Sequence, residues 1–310
     1  MVKYSIVVPA YNEEETLELF YNAATPVFDR LNAPFELIFV NDGSTDKTQE
    51  ILQRLAKADN RVKVCRFSRN FGQQAALLCG FAESSGEAVI AMDADLQDSP
   101  ETALKMIEEW QNGYEIVHGK RRTRQGESAF KKRTADLFYK TASKLTGLSI
   151  PQNVGDFKLY DRKVVNAILS MPEHDRLLRT QTSWLGFKQT YVEFDRPERV
   201  AGKTHYTLKK MCKLAQSGIL PNAETGSWFS LKASLLLGVA SVACFITFIV
   251  LACLGIAFGG LTAWLFPTVG LCSSVILFGQ GLSNIKTAMI YREVQNRPNY
   301  IVAEKLNFDK

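Results

Sequence analysis

The stretch Ala88-Val89-Ile90-Ala91-Met92-Asp93-Ala94-Asp95-Leu96-Gln97-Asp98 decides the fold. An apolar, partly β-branched run that stops abruptly in acidic residues reads as a buried parallel strand delivering carboxylates to its C-terminal edge. Ligands bind at that edge in open α/β sheets. Asp93 and Asp95 are one residue apart and can share a divalent cation, which in turn can neutralise a diphosphate. The plainer alternative is a loop that is merely acidic, and D-x-D alone does not choose between the two.

The same pattern occurs three times upstream. Ser5-Ile6-Val7-Val8-Pro9 runs into Ala10-Tyr11-Asn12-Glu13-Glu14, and helical spacing follows from Thr16 to about Leu31. Phe35–Val40 runs into Asn41-Asp42-Gly43-Ser44-Thr45-Asp46, where Ser44 or Thr45 can cap a helix reaching about Ala58. Val62–Phe67 runs into Ser68-Arg69-Asn70-Phe71-Gly72-Gln73-Gln74 and an Ala/Leu-rich helix. This alternation predicts an α/β fold with a doubly wound, mostly parallel sheet. No G-x-G-x-x-G follows the first strand and no G-x-x-x-x-G-K-[ST] occurs, which disfavours dinucleotide and P-loop sites.

Composition changes near the C-terminus of the 310 residues. Ala233 to Ile285 contains no Asp, Glu, Lys, Arg or His. About 53 uncharged residues suffice for two membrane-spanning helices and a turn. The predicted organisation is a catalytic domain over 1–205, amphipathic interfacial helices over 206–232, a transmembrane hairpin over 233–285 (helices about 233–257 and 262–285), and a tail over 286–310. Lys203, Lys209, Lys210, Lys213 and Lys232 precede the spans; Lys286, Arg292, Arg297 and Lys305 follow them. The positive-inside tendency then puts the catalytic domain and both termini in the cytoplasm. Met1-Val2-Lys3-Tyr4 leads straight into a strand, so no signal peptide is expected. A net charge of +5 without a basic, aromatic-interleaved stripe suits anionic lipid and not nucleic acid. Six cysteines without a C-x-x-C pair read as small apolar residues in a reducing compartment.

The four strand-end motifs, taken in order, resemble the GT-A core of the family 2 inverting glycosyltransferases. Gly155-Asp156-Phe157-Lys158-Leu159, Arg199-Val200-Ala201-Gly202, the hairpin and Tyr291–Pro298 narrow the resemblance to the polyisoprenyl-phosphate glycosyltransferases. That group is of the bactoprenol glucosyltransferase and dolichol-phosphate-mannose synthase type. The resemblance implies a nucleoside diphosphate sugar donor, tilted to UDP-glucose, and a polyprenyl (undecaprenyl) phosphate acceptor. It also implies a lipid bilayer at the bacterial inner membrane, a homo-oligomer of tetrameric type, and Mg2+ or Mn2+ as cofactor. Its metal ligands would be Asp93 and Asp95, with Gln97 nearby. Pro9, Tyr11, Glu13, Asp42, Arg69 and Asp93 would bind the nucleotide sugar. For Tyr11 and Glu13, strand-end packing and helix capping are the alternative.

Asp156, in a turn-rich loop, becomes the catalytic base by the same resemblance. A phosphate monoester is largely ionised near neutral pH, its second pKa being about 6, and can attack with little proton removal, so the alternative for that carboxylate is that it mainly positions the acceptor. A turn Asp bonded to its own backbone is a third. Arg121 and Arg124, in the basic Gly119–Gly126 run, are candidates for the acceptor phosphate, as are Arg199 and Lys203. Relatives usually carry Lys where this chain has His205, and imidazole is only partly charged at neutral pH. Asn41 stands where many relatives have Asp, and Gln73 where His is common. A processive polysaccharide synthase on the same core usually carries Q-x-x-R-W, which Gln181-Thr182-Ser183-Trp184 lacks. A non-catalytic nucleotide-sugar sensor would not need Asp42, Asp93, Asp95 and Asp156 together. The sugar itself is not legible: UDP-N-acetylglucosamine and GDP-mannose remain open.

Overall fold

A computed structural model describes residues 2–122, 154–173, 178–195, 225–256 and 260–308. Arg124, the amphipathic helix expected near Lys131–Arg133, Arg199, Lys203, His205 and linker residues 206–224 lie outside the described residues. The chain divides into two compact units, Met1–Thr204 with Pro298–Lys310, and His205–Arg297.

The first unit is built on one eight-stranded sheet. Its strands are β1 (Tyr4–Ala10), β2 (Phe35–Asn41), β3 (Val62–Phe67), β4 (Ala88–Ala91), β5 (Ile116–Arg121), β6 (Val154–Asp161), β7 (Gln189–Phe194) and β8 (Val302–Leu306). They lie in the order β7-β5-β6-β4-β1-β2-β3-β8. β4, β1, β2 and β3 are mutually parallel, as the motif alternation predicts. Ile6, Val8 and Ala10 face one core and Val7 the other, which is why these strands read as continuous apolar runs.

Among the described residues, six helices cover the sheet. α1 (Leu17–Asp29), α2 (Thr48–Ala58) and α4 (Pro100–Gln111) bury Leu17, Phe20, Phe28, Leu52 and Met106 on one face. On the other face α3 (Gln73–Glu83), α5 (Arg162–Ser170) and α6 (Leu178–Trp184) bury Leu77, Phe81, Val164, Ile168 and Leu178. Each fully buried Leu or Phe contributes about 1.5–3 kcal/mol.

Three expectations are corrected. Asp156 does not sit in a turn-rich loop: it lies within β6, which runs antiparallel to both β4 and β5. The tail over 286–310 is not one separate segment. Its first residues continue a membrane-type helix to Gln295, and its last form β8, antiparallel to β3 at the sheet edge. β8 is pinned there by Tyr300, stacked on Phe67 at 5.0 Å, and by Asn307, whose Nδ2 donates to the carbonyls of Ala56 and Val62. Nor do Ser44 and Thr45 cap α2: the Asp46 carboxylate accepts from the Thr48 N–H at 3.0 Å.

The second unit holds α7 (Thr225–Cys253), α8 (Gly260–Ala263) and α9 (Leu265–Gln295). Phe229–Cys253 and Leu265–Gln295 are long and apolar enough to cross a membrane, and only 6% and 11% of their most apolar windows are buried. A soluble core helix would be mostly buried. α7 and α9 pack antiparallel through small residues: the Ser274 hydroxyl donates to the Ser234 carbonyl at 2.8 Å, and Gly270 lies against Ser241. Close approach of this kind is how helices associate where lipid removes the hydrophobic drive.

Candidate active site

Parallel order brings the ends of β4, β1, β2 and β3 to one edge, and hydrogen bonds then stitch their loops together. The Asn12 N–H donates to the Ser44 hydroxyl at 3.0 Å, and the Thr45 N–H donates to Asn12 Oδ1 at 2.9 Å. Asn12 takes a left-handed φ of 55°, which asparagine tolerates better than most residues. Glu13 lies in the turn before α1 and joins it to α2: its carboxylate accepts from the Thr16 hydroxyl, and its N–H donates to Thr48 Oγ1. Pro9 is half-buried on β1, while Tyr11 is 40% exposed at the edge.

Asp42 is buried and ties β2 to the β3 loop. Its two carboxylate oxygens accept from the N–H groups of Phe71 at 2.6 Å and Gly72 at 2.9 Å. Burial raises its pKa above the usual carboxylate range, although those two hydrogen bonds and the charge of Arg69 pull the other way. Arg69 stacks over the Phe71 ring at 3.9 Å and donates to the Asn70 carbonyl. Gly43, at φ 67°, lets the β3 loop lie directly against it: a Cβ there would sit 2.7 Å from the Asn70 nitrogen.

At the end of β4 the Asp93 Oδ1 accepts from Gln73 Nε2 at 2.9 Å, and the Asp93 N–H donates to Asp98 Oδ2. Asp95 is 6% exposed, and its Oδ1 accepts from the Gln97 N–H at 3.1 Å. That short turn holds Leu96 at φ 58°, a conformation costing a non-glycine residue about 1–2 kcal/mol. The β4–β6 register, Ala91 opposite Lys158, carries Asp156 to the same edge as Asp93. β5 ends there too, and the Arg121 guanidinium lies over Gly155: a Cβ at Gly155 would sit 3.1 Å from Arg121 Nη2.

Among the described residues no three His, Cys, Asp or Glu side chains gather closely enough to hold a metal on protein ligands alone. Asp93 and Asp95 offer oxygen donors only, and their number fits a hard cation that completes its shell with substrate phosphates and water.

The sequence profile described as "Glycosyl transferase family 2" matches residues 5–169, which span β1 to α5 and every motif just placed. This chain belongs to glycosyl transferase family 2. As a family 2 glycosyltransferase it is 42% identical to "Uncharacterized glycosyltransferase YkcC" of Bacillus subtilis (strain 168), over 99% of this chain and 95% of the relative. It is 36% identical to "Prophage bactoprenol glucosyl transferase homolog" of Escherichia coli (strain K12), over 97% and 98%. It is also 36% identical to "Bactoprenol glucosyl transferase" of Shigella phage SfX, over 98% and 100%. Among solved structures, glucosyl-3-phosphoglycerate synthase from Mycobacterium tuberculosis, in complex with Mn2+ and UDP-glucose, aligns with 71% of this chain and 77% of its own at TM-score 0.49 and 20% identity.

Within the described residues of this family 2 enzyme, Pro9, Tyr11, Glu13, Asp42, Arg69, Asp93, Asp95, Gln97, Arg121 and Asp156 all lie along one sheet edge. Two partners escaped the sequence reading. Gln73 orients Asp93 from the first turn of α3, and Asp98 receives the Asp93 backbone. The D-x-D-x-x-D spacing is a signal that could have revealed Asp98; nothing local reveals that Gln73 reaches β4.

Proposed function

We propose that this glycosyltransferase moves one hexosyl unit, with inversion, from a nucleoside diphosphate sugar to a polyprenyl (undecaprenyl) phosphate at the cytoplasmic face of the cell membrane. UDP-glucose is the first donor to try. The observation that carries the reading is the convergence of Asp93, Asp95 and Asp156 on one edge, in a chain whose full length aligns with proteins named bactoprenol glucosyl transferase.

In the proposed reaction a phosphate oxygen of the acceptor attacks the anomeric carbon. The bond from that carbon to the diphosphate breaks, and its electron pair leaves with the nucleoside diphosphate. Asp93 and Asp95, with Gln97 beside them, would hold Mg2+ or Mn2+, which when bound supplies Lewis-acid neutralisation of the diphosphate. Asp42, Arg69, Pro9, Tyr11 and Glu13 would form the nucleotide side. The acceptor phosphate is already largely ionised at neutral pH, so Asp156 would chiefly orient it. Arg121 is at hand to offset the phosphate charge, with Arg124, Arg199 and Lys203 as further cations. Flanking lysines and arginines, with none between the spans, support cytoplasmic termini.

Intact protein in membranes, given Mg2+ and a panel of radiolabelled UDP-glucose, UDP-N-acetylglucosamine and GDP-mannose, should pass label from one donor into the lipid phase. Asp95→Asn and Asp156→Asn should each cut transfer by about 100-fold or more. Full transfer by either variant would sink the site assignment, and nucleotide binding without transfer of any label would favour a sensor.

A further inference from the structure

The C-terminal strand is linked by hydrogen bonds to the loop of the proposed nucleotide site, although Glu304 lies 255 residues from Gln49 in sequence. Glu304 on β8 accepts from Gln49 Nε2 at 2.9 Å and from Gln53 Nε2 at 3.3 Å. Gln49, in the first turn of α2, accepts from Asn41 Nδ2 at 2.8 Å. Asn41 is fully buried at the end of β2, and its Oδ1 accepts from the Ser44 N–H at 2.9 Å. The Ser44 hydroxyl in turn accepts from the Asn12 N–H of the β1 loop.

Each link fixes the polarity of the next. A backbone N–H can only donate, so the Asn41 oxygen must face Ser44 and its amide nitrogen must face Gln49. Gln49 must then turn its oxygen inward and its nitrogen outward, and an outward nitrogen needs an acceptor. The Glu304 carboxylate, which accepts only, supplies it. Hydrogen bonds to a charged group are the strong ones.

We propose that Glu304 is a positioning residue for the nucleotide-binding loop 41–45, acting through Gln49 and Asn41. The proposal rests on the nucleotide-sugar reading of that loop. It predicts a specific pattern of rescue. Asn41→Asp replaces the inner donor by an acceptor, so Gln49 must turn over and set its oxygen against the Glu304 carboxylate. Glu304→Gln then provides a donor for that oxygen.

UDP and GDP are titrated calorimetrically into the detergent-solubilised full chain with Mg2+ present, and donor KM and kcat are measured alongside melting temperature. Glu304→Ala should weaken nucleotide binding and raise donor KM about fivefold with kcat nearly unchanged. Glu304→Gln alone should change little, because its amide oxygen can still accept from Gln49. Asn41→Asp should weaken binding about tenfold, and Asn41→Asp with Glu304→Gln should return to within about twofold of the unaltered protein. A lower melting temperature for Glu304→Ala with unchanged nucleotide affinity overturns the proposal, as does strict additivity in the double variant. Failure of the unaltered protein to bind either nucleotide overturns instead the function on which it rests.

Discussion

Leu96 and Gly43 both take left-handed backbone conformations, and both serve the edge where the motifs meet. Leu96 turns the chain so that Asp95 accepts from the Gln97 N–H. Gly43 lets the β2 and β3 loops touch. Gly43→Ala would add the left-handed penalty to a collision with the Asn70 backbone. We expect a loss of about 2–4 kcal/mol, measurable as a lower melting temperature; an unchanged transition would show that the loops can separate freely. Gln73 holds one oxygen of Asp93. Gln73→Ala should raise the Mg2+ concentration for half-maximal transfer about tenfold, as expected for one hydrogen bond to a charged group. If that metal dependence did not move, Gln73 would have no part in the site.

Strand pairs and helices set the response to acid. His118 on β5 lies opposite Lys158 on β6 and donates from Nε2 to Gln189 on β7 at 2.7 Å, since Gln189 Nε2 is itself committed to the Thr182 carbonyl. Burial, then the charge of Lys158, pushes its pKa down to about 4. The unfolded chain takes up this proton near 6.5 and the folded one only near 4, so stability falls as pH drops through that window. About 3 kcal/mol would be lost across it, and His118→Gln should flatten the decline of melting temperature between pH 6.5 and 4.5. An equally steep decline in that variant would assign the acid sensitivity elsewhere. Glu36 on β2 acts in a lower window. Burial alone would raise its pKa, but hydrogen bonds from Lys63, Ser5 and Ser85 hold it below the usual carboxylate value. Its contribution is therefore present above pH about 4.5 and lost as pH falls through the lowered pKa.

The whole chain pairs a sheet unit with a helical hairpin, and the two should fail separately. Gly270 faces Ser241 across the hairpin, where a Cβ would run into the Ser241 hydroxyl. Gly270→Leu should lower the melting temperature in detergent and reduce transfer to lipid, while leaving nucleotide affinity within about twofold. A large loss of nucleotide affinity would mean that the hairpin's packing supports the sheet directly. The chain's return from α9 to β8 also changes what a truncation means. Removing residues from Asn299 onward deletes none of the strand-end motifs, yet it exposes the β3 edge and leaves Gln49 and Gln53 without Glu304.

Local chemistry was enough to determine much of this protein from sequence. Apolar runs ending in Asn, Asp and Arg specify parallel strands and the edge at which they deliver side chains, because burial on both faces and a polar terminus are properties of contiguous residues. An uncharged stretch of about 53 residues likewise reports its own solvent. Tertiary structure alone decided that Asp156 comes to the same sheet edge as Asp93, through an antiparallel strand whose register no local pattern encodes. It alone decided that Gln73 serves Asp93 and that the last strand completes the sheet beside β3. Those are pairings between distant segments, and their partners are selected by the packed sheet and not by neighbouring residues. The Asp93-Ala94-Asp95 run could announce a site; only the fold could supply the groups that hold it in place.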